Sequence, residues 1–158
     1  MNIKSYNRIN AVEYSKKWAL SRNPMYYNFD PVGGDCTSFV SQCLYSGSQK
    51  MNHNFENGWY YNNGYDKSPS WSGVEFLYKF LIKNNGYGPR GKEIPQKEIE
   101  AGDIVQLSFS GNKFEHSLLI LDPSTLSVAA HTYDVLDKKI SEYNFSKIRF
   151  IHIVDVGF

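Results

Sequence analysis

The sequence contains few cysteines, and the two that it has are poorly placed for a disulfide. Cys36 and Cys43 fall on one predicted helix, separated by about 10.5 Å along its axis at about 1.5 Å per residue. A disulfide needs Cα atoms within about 7 Å of each other. The closely spaced Cys and His pairs of common zinc sites are also absent. We therefore expect two free thiols and no metal site.

The sequence also lacks an excess of charge and long apolar segments. Its 17 Lys and Arg against 16 Asp and Glu leave a net charge of +1, which offers no electrostatic reason to expect nucleic acid as a partner. No apolar run reaches the length of about 18 residues that a membrane span needs, so we expect no membrane insertion. The start lacks a signal peptide, which predicts cytoplasmic synthesis or a domain trimmed from a longer exported protein.

Apolar residues, at 41% of the chain, are present in the amount typical of a globular protein. A chain of 158 residues is the size of one domain with its own core, so we expect a single domain over 1–158. Helical periodicity dominates the first half and strand-like alternation the second, which predicts an α+β domain with an antiparallel sheet. Helices are predicted over 7–21, 36–47 and 72–86, and strands over 104–109, 117–121, 126–132 and 147–156.

The boundaries of the second and third helices carry recognisable signals. Gly47 is placed to end the second helix, and Ser72 with Glu75 has the spacing of a capping box for the third. Residues 48–71 between these helices predict a long surface loop that is rich in tyrosine and tryptophan. The rings from Trp59 to Trp71 either line a groove for a glycan or peptide or cover the core.

The stretch GGDCTSFVSQ places Cys36 in the first turn of the second helix. Unpaired backbone N–H groups and the positive end of the helix dipole favour an anion there, so we expect a lowered thiol pKa. Cys43 falls on the apolar stripe of the same helix, where burial would raise its pKa. Cys36 is therefore the candidate nucleophile, although a lone cysteine is more often a packing residue.

Two histidines are placed to serve as a base and its partner. His116 opens one predicted strand and His131 ends the next. If Leu121 faces Leu126 across the turn between them, the two imidazoles are opposite each other, with Cβ atoms about 4.5–5.5 Å apart. One ring could then orient the other, which would serve the thiol as a base. A slip of one residue would place them on opposite faces, and an ordinary hydrogen-bonded pair is the alternative.

This order, a cysteine on an early helix and two histidines on later strands, resembles that of papain-like thiol hydrolases. The segment YNRINAVEYSKKWALSRNPMYYNFDPVGGDCTSFVSQCLYSG resembles the start of the amidase domains related to the NlpC/P60 and CHAP cell-wall hydrolases. The later GDIVQL and FEHSLLI are similar to the paired strands of that family, the second of which opens with the catalytic histidine. The resemblance extends from about residue 6 to residue 134.

The resemblance implies a papain-like, NlpC/P60-type fold in which N-terminal helices pack on a C-terminal antiparallel sheet. It implies Cys36 as the nucleophile, His116 as the general base and acid, and His131 as the polar residue that orients it. In related enzymes a tyrosine shortly before the cysteine helps to bind the oxyanion. Tyr26 and Tyr27 are both at a suitable spacing for this role.

The resemblance also implies the reaction and its substrate. It predicts hydrolysis of an amide bond of bacterial cell-wall peptidoglycan through a thioester on Cys36, on the cell wall and without metal or organic cofactor. One alternative is a transglutaminase-like thiol acyltransferase, in which an amine replaces water as acceptor. Another is a non-catalytic wall-binding module with the same fold. The bond that is cut and the oligomeric state stay open.

Overall fold

The computed structural model describes all residues 1–158 and has a mixed α+β architecture. The helices are α1 (Arg8–Trp18), α2 (Cys36–Ser48), α3 (Pro69–Ser72) and α4 (Val74–Lys83). The strands are β1 (Ile3–Lys4), β2 (Tyr61–Asn63), β3 (Asp66–Lys67), β4 (Gly88–Ile94), β5 (Ile104–Ser108), β6 (His116–Asp122), β7 (Ser127–Ala130), β8 (Val135–Lys139) and β9 (Lys147–Gly157).

Seven strands form one antiparallel sheet, in the order β1-β9-β5-β6-β7-β8, with β4 paired to the same β9. The four predicted strands correspond to β5, β6, β7 and β9. The prediction missed the short strands β1, β2 and β3 and the longer β4 and β8. Strand β4 contains two glycines and a proline, which are uncommon in strands, and β8 contains the polar stretch that was expected to separate two strands.

The residues of β6 alternate between the two faces of the sheet, as a strand requires. Leu119 and Leu121 pack with Phe39 and Cys43 of α2 in one apolar cluster. The intervening positions belong to a second cluster, which lies on the face of the sheet away from α2. That cluster comprises Ile94, Ile99, Val105, Leu107, Leu118, Ile120, Val128, Ala130, Ile140 and Phe150.

Helix α2 confirms the predicted apolar stripe, but it does not end where predicted. Phe39, Cys43 and Leu44 are fully buried. Gly47 lies inside the helix, where an added Cβ would come within 2.4 Å of the ring of Tyr6. The helix ends at Ser48, and the residue after it takes a left-handed conformation. Gly47 is therefore needed for close approach of the chain and not for termination. None of the helices combines the length and apolar character that crossing a membrane requires.

The predicted capping box of the third helix does not form. Ser72 belongs to α3, so the N-cap of α4 is Gly73, which has no side chain to cap with. The carboxylate of Glu75 instead pairs with the guanidinium of Arg149, at 3.1 Å between Oε2 and Nη2. The spacing of the motif was correct, but the preceding turn was already helical.

The segment expected to be a surface loop contributes to the core. Trp59 and Trp71 are fully buried, with ring centroids 5.1 Å apart. Strands β2 and β3 form a small hairpin between them, and Tyr65 at its turn is fully exposed. The two tryptophans therefore cover the core and do not line a groove.

We predict that Gly47→Ala lowers the free energy of unfolding by about 1–3 kcal/mol, because the new methyl group overlaps the ring of Tyr6. Alanine normally stabilises a helix relative to glycine by about 1 kcal/mol, so a loss of stability in this variant would have to come from the overlap with Tyr6. Gly86→Ala is the matched control, since its nearest neighbour would be 3.5 Å away. Urea unfolding of both variants is the measurement. Equal stability of the two variants would contradict the packing described here.

Candidate functional site

The N-terminus of α2 presents a thiol beside unpaired backbone amides. The first helical hydrogen bond runs from the Phe39 N–H to the carbonyl of Asp35, at 2.9 Å. No oxygen of the chain accepts from the N–H groups of Cys36, Thr37 and Ser38. These three donors lie at the positive end of the helix dipole, so the turn favours an anion near Cys36.

The protonation of Cys36 differs from the expectation, because the residue is only 8% exposed. Burial raises the pKa of the thiol above its ordinary value. Backbone hydrogen bonds from Ser117 and Thr37 and the hydroxyl of Thr37, 3.7 Å from Sγ, lower the pKa, but burial outweighs them. The resting residue is therefore a neutral thiol, and a nucleophilic reaction would need a base. Both cysteines are free, and Cys43 is completely buried.

The predicted register between β6 and β7 is wrong by one residue. Ile120 pairs with Val128, whereas the prediction paired Leu121 with Leu126. An irregularity follows Ile120, and Leu126 takes a left-handed conformation with φ of 55° in the turn. A shift of one residue moves every side chain of a strand to the other face. The two histidines are accordingly not cross-strand neighbours.

His116 lies on the face of the sheet away from α2. It pairs with Leu107 of β5, and its ring centroid is 6.3 Å from that of Phe109 and 5.9 Å from that of Tyr143. Burial, and then the charge of Lys138, lower the pKa of His116 to about 4, so the ring is neutral at neutral pH. Neither ring nitrogen has a hydrogen-bond partner in the chain, and both keep contact with solvent.

No hydrogen bond joins the side chains of Cys36 and His116. Ser117, the residue after His116, contacts the sulfur through its backbone. Its side chain points to α2, where its Oγ lies 3.0 Å from Thr37 Oγ1. The structure therefore places the candidate base next to the residue that touches the thiol, with its ring on the opposite face.

His131 lies on the α2 side of the sheet, where both of its ring nitrogens are engaged. Nδ1 is 2.6 Å from a carboxylate oxygen of Asp35, and Nε2 donates to the carbonyl of Trp18 at 2.8 Å. The ring stacks on Phe39, with centroids 4.0 Å apart. The structure therefore joins His131 to the residue before Cys36 and not to the other histidine.

Asp35 shapes the loop that leads into α2. Its side chain makes no N-cap hydrogen bond, and Oδ1 accepts from the backbone N–H of Phe29 at 2.9 Å. The guanidinium of Arg22 lies 3.6 Å from Asp35 and also binds Asp30 at 2.6 Å and Asp134 at 2.7 Å. This network holds the loop against the turn that follows His131.

The two candidate oxyanion tyrosines lie in different environments. The ring of Tyr26 is 5.1 Å from Tyr61 and 5.8 Å from Trp71, and burial raises its pKa to about 12. Tyr27 is exposed, with the edge of its ring against Phe29 at 4.8 Å. No hydrogen bond joins either hydroxyl to the thiol or to any other group of the chain.

The sequence reasoning missed the buried polar residues behind Cys36. Thr37 bonds to Ser117, and Ser117 Oγ accepts from Gln106 Nε2 at 3.1 Å. Gln106 Oε1 in turn accepts from Arg149 at 2.6 and 2.9 Å. Gln106 and Ser117 are polar residues next to the apolar residues of the segments GDIVQL and HSLLIL. Polar residues at these strand positions were the feature of the sequence that could have indicated buried hydrogen bonds.

The structure has no group of three or more His, Cys, Asp or Glu side chains arranged to hold a metal ion. A groove of about 1010 Å³ is lined by residues of 52–58, 69–70 and 83–87 together with Phe76, Lys79 and Phe80. Neither the candidate nucleophile nor the histidines on β6 and after β7 line this groove.

Comparison with known proteins places most of the chain in one family. The family model described as "Putative amidase domain" matches residues 5–154. The chain is also similar to "Uncharacterized protein YhbB" of Bacillus subtilis (strain 168), with 31% identity over 163 residues that cover 95% of this chain and 51% of the relative. The chain thus spans about half the length of that relative. No solved structure matches the chain significantly.

We predict that the buried His116 makes the fold less stable in mild acid. Its pKa of about 4 lies below the value of about 6.5 in the unfolded chain, so the unfolded chain binds the proton first as the pH falls. Stability should therefore drop by about 2 kcal/mol between about pH 7 and about pH 5. Urea unfolding at the two pH values measures this loss.

His116→Phe should reduce that pH dependence, because phenylalanine does not titrate and suits the aromatic neighbours of the site. His53→Gln is the control, since His53 is exposed and its loss should leave the pH dependence unchanged. The same loss of stability in the parent and in His116→Phe would show that His116 is not the titrating group.

Proposed function

The chain belongs to the family of putative amidase domains, and on that premise we propose that it is a cysteine amidase whose nucleophile is Cys36. The observation that carries the proposal is the thiol at the start of α2, where the backbone N–H groups of Cys36 and Ser38 have no acceptor in the chain and that of Thr37 faces the sulfur. Such donors stabilise the negative charge that develops on an amide oxygen during acyl transfer.

His116 is the general base of the proposed reaction. Cys36 is a neutral thiol, so its proton must be removed as the sulfur attacks. His116 is neutral, has no competing hydrogen bond and directly precedes the residue that contacts the sulfur. Its ring must turn from the far face of the sheet toward the edge of β6 for the proton transfer to occur.

The reaction then follows two balanced steps. The sulfur bonds to the amide carbon while His116 takes the thiol proton, and the N–H group of Cys36 holds the oxyanion. His116 returns the proton to the departing amine, and a thioester remains on Cys36. Water then attacks the thioester with His116 as base, which releases the acid and restores the thiol.

His131 and the two tyrosines have supporting roles in this proposal. His131 holds Asp35, and through it the entry to α2, so it positions the nucleophile and does not orient His116. Tyr26 or Tyr27 supplies a further donor to the oxyanion, since neither hydroxyl is engaged within the chain. These roles complete the site without a metal or an organic cofactor.

The proposed substrate is an amide bond of bacterial cell-wall peptidoglycan. This assignment rests on the resemblance of the Cys36 and His116 segments to NlpC/P60 and CHAP cell-wall hydrolases. On the same ground we propose a single papain-like domain over 1–158 that acts at the cell wall. A wall-binding module without activity is the second candidate. It is favoured by one observation, the ring of His116 facing away from the thiol.

We predict that purified peptidoglycan incubated with the protein releases fragments that carry the new carboxyl and amino groups formed by amide hydrolysis. Cys36→Ala should abolish release, and His116→Ala should slow it by about 10³-fold or more, because each removes one half of the nucleophile and base pair. Cys43→Ala should retain activity, since that thiol is completely buried on the stripe of α2. Mass spectrometry of the released fragments measures the reaction and identifies the bond.

Retention of the protein on the wall without release by any variant would favour the binding module. Release that persists in Cys36→Ala would rule out thiol chemistry. Absence of both release and retention would mean that peptidoglycan is not the substrate.

A further inference from the structure

A continuous series of hydrogen bonds leads from a buried arginine to the candidate nucleophile. Arg149 donates to Gln106 Oε1 through Nε at 2.9 Å and through Nη2 at 2.6 Å. Gln106 Nε2 lies 3.1 Å from Ser117 Oγ, which lies 3.0 Å from Thr37 Oγ1. Thr37 Oγ1 is 3.7 Å from Cys36 Sγ. The four residues behind the thiol are buried in the interface of β9, β5, β6 and α2.

The chemistry of the two ends fixes the direction in which these groups donate. Arg149 has no acceptor atom, so the oxygen of Gln106 must accept from it. The amide nitrogen of Gln106 also donates to the carbonyl of Val74 at 2.9 Å, which confirms the orientation of the amide. Ser117 Oγ therefore accepts from Gln106, and its own hydrogen is left with Thr37 as the partner.

Thr37 then accepts from Ser117, and its hydroxyl hydrogen is left to point at Cys36. Any other arrangement leaves a hydroxyl hydrogen of Ser117 or Thr37 without a partner in the buried interface, and an unsatisfied buried donor is unfavourable. Only the arrangement with Thr37 as donor to the sulfur gives both hydroxyl hydrogens a partner.

We propose that Arg149, Gln106, Ser117 and Thr37 form a polarised relay whose purpose is to hold the Thr37 hydroxyl as a hydrogen-bond donor to the Cys36 sulfur. They are positioning residues that stabilise the thiolate from inside the protein. Its use in catalysis rests on the proposed function, but the acidity of Cys36 is a property of the free protein. The relay can therefore be tested without substrate.

The relay addresses the main obstacle to a nucleophile at this position. Burial disfavours the charged sulfur, so donors must be held in place before the charge forms. The guanidinium of Arg149 is fixed between the rings of Tyr78 and Phe114, at 3.6 and 3.9 Å from their centroids, and faces Glu75. Its positive charge polarises the successive donors in the same direction, which strengthens the last of them.

The test measures the rate of alkylation of Cys36 by iodoacetamide as a function of pH, in a Cys43→Ala background that leaves a single thiol. Thr37→Val preserves shape and removes the donor, so alkylation near pH 7 should slow by about tenfold and the titration should move to higher pH. Thr37→Ser should restore most of the rate. Thr125→Val, the same change at an exposed site, is the control and should have no effect.

Gln106→Glu tests the direction of the relay. A carboxylate still accepts from Arg149 but cannot donate to Ser117, so the two hydroxyls should reverse and Thr37 should cease to donate to the sulfur. Alkylation should slow about as much as in Thr37→Val. In the double variant with Thr37→Val the second change should add no further slowing, because both act through the same hydroxyl.

Two results would overturn the relay. One is a Thr37→Val protein that is folded by circular dichroism and alkylated with the parent's pH profile. The other is a Gln106→Glu effect that adds in full to that of Thr37→Val, which would reveal a direct effect of the new carboxylate. Neither outcome depends on amide hydrolysis, so failure of the relay and failure of the proposed activity are separate results.

Discussion

The burial of α2 against the sheet is the constraint on which the rest of the site depends. Eleven of its thirteen residues are buried, and several of these are polar. A buried polar group is costly unless it is hydrogen bonded, and three of these residues have partners on other elements. Ser117 of β6 bonds to Thr37, Tyr14 of α1 to Gln42, and the backbone of α3 to Ser41. These bonds fix the helix, and with it the thiol at its first residue.

Periodicity was sufficient to predict the main helices and the central strands. The apolar residues of α2 and the alternation in β6 follow directly from their sequences, because burial on one face determines both patterns. The ends of elements were harder to predict. A glycine such as Gly47 often follows the last residue of a helix. Here it lies inside the helix and allows close approach of Tyr6, a residue that is distant in sequence.

The candidate site shows the same division between local and long-range information. The position of Cys36 at a helix start was predictable, because a glycine-rich loop precedes an amphipathic segment. The pairing of the histidines was not, since an irregularity after Ile120 and a left-handed Leu126 shift the register by one residue. The protonation of the thiol also required the structure, because burial depends on how the sheet and helix pack.

The pairing of β9 has a consequence for how the chain acquires its structure. This strand pairs with β4 over 150–157, with β1 at 156–157 and with β5 over 147–151. All three partners precede it in the sequence, and β1 is separated from it by more than 140 residues. Contacts so distant along the chain form slowly, because a long loop must close first. During synthesis on the ribosome, the edges of three strands therefore stay open until β9 has emerged, and this is the interval in which the nascent chain depends most on protection from aggregation.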